Sequence, residues 1–123
     1  MDSCPLDTLL YGQCWANVMK KGEAIGIHSH AGPALGEYSY LSGNICVQTN
    51  ETSTYYLTPY YEHAYQSQNK DGTIVVFPSW LKHYTDDVKN DEERITLGFD
   101  LVNIEGYEKG IKDERKHHWE KLE

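Results

Sequence analysis

Short runs of β-prone residues, each closed by turn formers, recur along the chain and leave little room for anything but an all-β barrel or sandwich. The runs are Gln13 to Lys20, Ala24 to His30, Glu37 to Leu41, Ile45 to Thr49, Thr54 to Leu57, Thr73 to Pro78 and Ile95 to Val102. Between them lie Lys21-Gly22, Ala31-Gly32-Pro33, Ser42-Gly43-Asn44, Asn69-Lys70-Asp71-Gly72 and the polar stretch from Asp86 to Glu93. Glycine and asparagine tolerate the left-handed backbone that tight turns need, and proline presets its φ. With 123 residues there is room for one domain, 1–123, and one modest core over 13–102, so an active site must share its walls with that core. The tail, 107–123, is heavily charged and reads as a short helix or a frayed end.

The formal charge of -8 excludes sequence-independent nucleic-acid binding, because few cations are available to replace the counterions around phosphates. The first ten residues lack a basic, apolar leader pattern, and no stretch approaches the roughly 20 apolar residues of a membrane span, so a soluble, cytoplasmic protein is expected. Cys4, Cys14 and Cys46 are odd in number and without CxxC spacing, which disfavours both a disulfide framework and a thiolate metal site. Asn50-Glu51-Thr52 spells a glycosylation sequon that has no meaning without secretion. Lys121-Leu122-Glu123 has the look of an expression scar and is set aside.

Residues two apart on a strand share a face, so His28 and His30 present both imidazoles to one wall while Ile25, Ile27 and Ser29 take the other. That spacing lets two side chains reach one transition ion. A third donor is expected from His83, which follows the β-run and Pro turn of Gly72 to Pro78, and Glu37 is a candidate fourth. A lone histidine is more often a surface residue than a ligand. His63, His117 and His118, in polar surroundings without strand placement, are assigned to the surface. By the same alternation Arg94, Thr96 and Gly98 line one face, with Ile95, Leu97 and Phe99 behind them. Arg94 then either looks into a barrel lumen or pairs at the surface with Asp91, Glu92 or Glu93.

The stretch from Trp15 to Val102 resembles the 2-oxoglutarate- and Fe(II)-dependent oxygenases of the kind found in phages and marine bacteria. The matching marks are Trp15-Ala-Asn17, His28-x-His30, Gly36-Glu-Tyr-Ser-Tyr-Leu41, Gly72-x5-Pro78-Ser-Trp-Leu-x-His83 and Arg94-Ile-Thr96-Leu-Gly-Phe-Asp100. The resemblance implies a double-stranded β-helix, a jelly-roll or cupin-like barrel of two antiparallel sheets. It implies Fe(II) held by His28, His30 and His83, and 2-oxoglutarate as co-substrate for a hydroxylase-type oxygenase. Arg94 would take the far carboxylate of 2-oxoglutarate, with Thr96 adding a hydrogen bond and Tyr38, Tyr40 and Asn17 further contacts. A planar guanidinium pairs two-pronged with a carboxylate and keeps its charge, which suits the task. The substrate, a small molecule or a protein side chain, is not legible. One departure matters: such sites use two histidines and a carboxylate, and His30 stands where the Asp or Glu is expected. Either three imidazoles hold the ion or a carboxylate such as Glu37 enters from elsewhere.

The sequence also resembles the cupins, in which His28, His30, Glu37 and His83 would form a four-donor site for an oxoglutarate-independent dioxygenase, an isomerase or a small-molecule binder. The third reading is a barrel that has kept its fold and lost catalysis. The chain begins close to the first barrel strand, so a homodimer could supply a missing wall, with the tyrosines from Tyr55 to Tyr61 at the interface or a substrate mouth.

Overall fold

The alternation of the sequence becomes eight strands and one short helix in the computed structural model, which describes residues 10–30, 39–49, 51–60, 62–110 and 118–122. The strands are β1 (Leu10–Met19), β2 (Ser39–Gln48), β3 (Ser53–Leu57), β4 (Tyr65–Gln68), β5 (Ile74–Pro78), β6 (Lys82–Thr85), β7 (Arg94–Asn103) and β8 (Glu120–Leu122), with α1 at Ile104–Gly110. They form a five-stranded sheet, β5-β2-β7-β1-β8, and a three-stranded sheet, β4-β3-β6, with every pairing antiparallel. The architecture is all-β, the double-stranded β-helix that the family resemblance implies. No helix among the described residues is long and apolar enough to cross a membrane.

β7 is the centre of the larger sheet. Its burial alternates strictly from Arg94 to Asn103, with Arg94, Thr96, Gly98, Asp100 and Val102 turned inward. Register carries that phase to its neighbours: Gln13, Trp15, Asn17 and Met19 of β1 stand opposite Asp100, Gly98, Thr96 and Arg94. On the other edge Ser42, Asn44 and Cys46 of β2 stand opposite Asp100, Gly98 and Thr96. In the smaller sheet, Thr54 and Tyr56 of β3 pair with Thr85 and His83 of β6, and all four are buried.

The interior that results is mostly polar, and its apolar residues form two small clusters. Tyr56, Phe77 and Leu81 form one, with Val75 against them, and the Tyr56 and Phe77 rings lie beside His83. Val102 and Trp119 form the other, covered by Tyr11 and Tyr107, whose rings stack at 3.9 Å. β8 pairs with Leu10–Gly12, so Lys121 and Leu122 take part in the sheet.

Three sequence expectations are corrected. Ser42-Gly43-Asn44, read as a turn, runs in the middle of β2. The small polar residues serve packing there: Ser42 is fully buried, and Phe99 lies over Gly43. Ala24 to His30, read as a strand, makes only an isolated bridge at His28. The Ile25 amide donates to the Thr85 hydroxyl rather than to a ladder carbonyl, so regular pairing fails. Alternation slips accordingly: Ile25 lines the inner cleft, whereas Ile27 is 63% exposed. β4, β6 and β8 are not expected from the sequence, because Tyr-Gln-Ser-Gln, Lys-His-Tyr-Thr and Glu-Lys-Leu carry no apolar alternation; Glu120–Leu122 is a strand and not a frayed end.

A side chain at Gly43 would press on the Val75 carbonyl oxygen and the Phe99 ring, and backbone gives way poorly. Gly43→Ala is therefore expected to destabilise the fold by about 1–3 kcal/mol, the usual cost of overpacking. An unchanged denaturation midpoint in urea would contradict this placement.

Candidate metal centre

Past the turn at Lys21-Gly22, residues 25–30 run beside β6. His28 and His83 exchange both backbone hydrogen bonds, each amide donating to the other's carbonyl at 3.1 and 3.0 Å. Their rings leave adjacent backbones on one side, with centroids 4.3 Å apart. The His30 amide donates to the Ser79 carbonyl at 2.9 Å, and its ring lies 5.3 Å from His28 and 5.1 Å from His83. Phe77 stands edge-on to His83 at 4.7 Å, and Trp15 is 5.6 Å from His30.

Each imidazole commits its Nδ1 to an acceptor. His28 Nδ1 donates to the Gly26 carbonyl at 2.8 Å, His83 Nδ1 to the Leu81 carbonyl at 2.9 Å and His30 Nδ1 to Asp100 Oδ1 at 2.6 Å. Carbonyls and carboxylates only accept, so the ring protons sit on Nδ1 and the Nε2 lone pairs are free. One nitrogen from each ring lies within 4.8 Å of the others. An ion with bonds of about 2.0–2.1 Å would draw the three closer together, and neutral imidazoles with oriented Nδ1–H groups suit Fe(II) or Zn(II). Burial, reinforced by the neighbouring His28 and His30, pushes the His83 pKa down to about 4, against the opposing pull of the Leu81 carbonyl and Asp100. His83 therefore stays neutral at physiological pH. Among the described residues no carboxylate joins the cluster. Glu37 lies outside the described residues.

The three histidines open onto an inner cleft of about 160 Å³ that Trp15, Asn17, Asn44, Thr54, Thr85 and Arg94 also line. That is below the roughly 300 Å³ at which drug-sized pockets begin and suits a small ligand. Arg94 is 2% exposed. Its Nη1 donates to the Met19 sulfur at 3.4 Å, a weak acceptor, and its Nε has no partner. The surface pairing with Asp91, Glu92 or Glu93 does not form: among the described residues no carboxylate lies within ion-pair distance of the guanidinium, and Asp91 sits 3.9 Å from Lys21. Burial lowers the Arg94 pKa, yet a guanidinium keeps its proton. Asn17 Nδ2 reaches Thr96 Oγ1 at 3.5 Å on the same wall. Tyr40 is in β2, but its side chain, like Tyr38, lies outside the described residues. His63 and His118 are exposed as expected, and His117 lies outside the described residues.

Two inward residues escaped the sequence reading. Asp100 continues the phase of Arg94, Thr96 and Gly98 by one more step, a signal that was available. Tyr56 is buried near Arg94. Its hydroxyl lies beside Asn44 without a hydrogen bond of normal geometry, and burial raises its pKa while Asn44 and Arg94 pull it down. Its strand was recognised, but nothing in the sequence tells the inward tyrosine from its neighbours. A larger groove of about 470 Å³ lies between β1, β7 and β8, away from these three imidazoles; His118 and Glu120 line it, but among the described residues no comparable cluster of donors forms there.

A family described as "Putative 2OG-Fe(II) oxygenase" matches residues 13–100. The chain belongs to that family. No curated protein matches this 2OG-Fe(II) oxygenase family member in sequence. Among solved structures it is similar to a 2OG-Fe(II) oxygenase family oxidoreductase from Burkholderia pseudomallei, with 21% identity, a TM-score of 0.62, and coverage of 72% of this chain and 42% of that one. It is also similar to a Pseudomonas putida prolyl-4-hydroxylase, with 12% identity, a TM-score of 0.58, and coverage of 74% and 52%. A cupin domain from Bordetella pertussis matches with 15% identity, a TM-score of 0.53, and coverage of 74% and 81%. These likenesses concern the fold, and the chain spans less than half the length of the Burkholderia protein.

The depressed His83 pKa has a sign that can be checked. Between about pH 6.5 and 4 the unfolded chain binds a proton there that the folded chain refuses, so stability is lost as pH falls through that window. The melting temperature of metal-free protein is expected to drop on acidification from pH 7 to 5, and to drop less in His83→Gln. Equal slopes in the two proteins would contradict the assignment.

Proposed function

We propose that this family member is a non-haem Fe(II)- and 2-oxoglutarate-dependent oxygenase of the hydroxylase type. In this reading His28, His30 and His83 hold the iron, and Arg94, Thr96 and Asn17 receive the co-substrate. The observation that carries it is the buried Arg94 without a carboxylate partner, in the same cleft as three free Nε2 atoms. Asp86 acts on the guanidinium only through space, without an ion pair, and a buried charge so poorly compensated costs a fold several kcal/mol. A dicarboxylate that reaches from the histidines to Arg94 would remove that cost.

Iron with 2-oxoglutarate and oxygen supplies the oxidising chemistry, in which the co-substrate becomes succinate and carbon dioxide as a substrate C–H bond is hydroxylated. The chain's own part is to orient Nε2 lone pairs, to fix the far carboxylate on Arg94, and to exclude water with Trp15 and Phe77. The substrate is a small molecule or a protein side chain, and the setting is cytoplasmic. The four-donor cupin reading with Glu37 leaves Arg94 without a task.

An anaerobic titration of the Fe(II) protein with 2-oxoglutarate tests this. Arg94→Ala is expected to weaken binding at least about 30-fold, since truncating one side of a buried charge pair costs roughly 2 kcal/mol or more. Iron should stay bound in Arg94→Ala and Glu37→Gln, and be lost in His83→Ala. Normal oxoglutarate binding by Arg94→Ala, or none by the parent protein, would sink the proposal.

Pairing of two copies belongs to the same reading. Its support is the outer face of the five-stranded sheet, where Val18, Ile74 and Val76 are 53%, 58% and 52% exposed around half-buried Ile95 and Leu97. Sedimentation should give twice the chain mass, and Val76→Glu the single mass. A parent protein that sediments as one chain rules pairing out.

A further inference from the structure

Among the described residues Asp100 is the only buried acid. Three donors converge on it: His30 Nδ1 and Ser42 Oγ both reach Oδ1 at 2.6 Å, and Gln13 Nε2 reaches Oδ2 at 3.0 Å. Ser42 has one hydroxyl proton and directs it at the carboxylate, so Ser79, 2.7 Å away, must donate to Ser42. The polarity of the whole network is thereby fixed toward Asp100. No Lys or Arg among the described residues lies within ion-pair distance of it. Its only route to a positive charge runs through the His30 ring.

We propose that Asp100 is a positioning residue that locks His30 into its Nδ1–H form, aims Nε2 at the ion, and lends the centre negative charge through the imidazole. This rests on the reading of His28, His30 and His83 as ligands. A centre of three neutral imidazoles leaves a divalent ion with its full charge, where a direct carboxylate would have offset part of it. Asp100 restores that offset from one residue further out, since a carboxylate behind a ligating histidine raises the basicity of the ring. The anion at Asp100 and the cation at Nε2 then compensate one another across His30.

The test uses the full chain with Co(II) as the probe, titrated against a chelator. Asp100→Asn keeps an oxygen that accepts from His30 and Ser42 but removes the charge, while Asp100→Ala removes both. Expected is a loss of Co(II) affinity of about tenfold for Asp100→Asn and nearer 100-fold for Asp100→Ala, within the range for such outer partners. The d–d absorption bands should shift in both, whereas a purely structural carboxylate would leave them alone. In metal-free protein, ¹⁵N spectra should show His30 protonated on Nδ1 in the parent and Asp100→Asn, and as a mixture of ring forms in Asp100→Ala. If Asp100→Ala does not fold, the near-isosteric Asp100→Asn decides. Parent affinity and parent spectra in the folded variants would overturn the role of Asp100 and leave the ligand assignment standing. A parent protein that takes up no Co(II) overturns both.

Discussion

Backbone pairing of β7 along both of its edges is the interaction on which everything else hangs. Ten consecutive residues are matched to β1 on one side, and most of them to β2 on the other. A slip of one residue would turn Arg94, Thr96, Gly98 and Asp100 outward together and send Ile95, Leu97 and Phe99 into the cleft. The same register selects which neighbours can help them: Asn17 meets Thr96, Gln13 and Ser42 meet Asp100, and Trp15 crosses the space that Gly98 leaves by having no side chain. Site and sheet are therefore one specification.

The interior inverts the usual arrangement of a small barrel. Thr54, Thr85, Thr96, Ser42, Ser79, His83, Asp100 and Arg94 are buried, while valines and isoleucines occupy the outer face of the large sheet. Buried polar groups are tolerable only when partnered. The Thr, Ser and Asp groups here largely are, through links such as Thr54 to Asn69 and Ser42 to Asp100. Among the described residues the exceptions are the Tyr56 hydroxyl, the Thr58 hydroxyl and Arg94 Nε, and of these only Arg94 carries a charge. Stability must come from strand pairing and from the two small apolar clusters, and a ligand that binds the folded chain alone would add to it by mass action.

The parts of this architecture that follow a strict period were legible in the sequence. β7 announces itself by alternation, whereas His28 and His30 meet on a segment that is not a regular strand. His83 meets the other two imidazoles from β6, a strand that the sequence does not announce because Lys-His-Tyr-Thr alternates in exposure and not in hydrophobicity. Ser42-Gly43-Asn44 looked like a turn because composition cannot tell a solvated Ser-Gly-Asn from one packed against Asp100 and Phe99. Residues 24–30 failed as a strand for the opposite reason: their β propensity was real, but the Thr85 hydroxyl took a bond that a ladder would have needed. Partnerships such as His30 with Asp100, 70 positions apart, exist only once the sheets have closed.

The isolated bridge between His28 and His83 acquires a mechanical meaning from this. One pair of backbone hydrogen bonds, with the Ile25–Thr85 contacts beside it, fastens residues 25–30 to the smaller sheet, and the chain between the two histidines runs through 55 positions, from 28 to 83. Those bonds exist in the folded chain only and must offset the entropy of closing so long a loop, and a ligand that binds the same two points in the folded chain reinforces them. An ion shared by those imidazoles would thus be a rivet as well as a reagent, holding shut the seam where the two sheets meet.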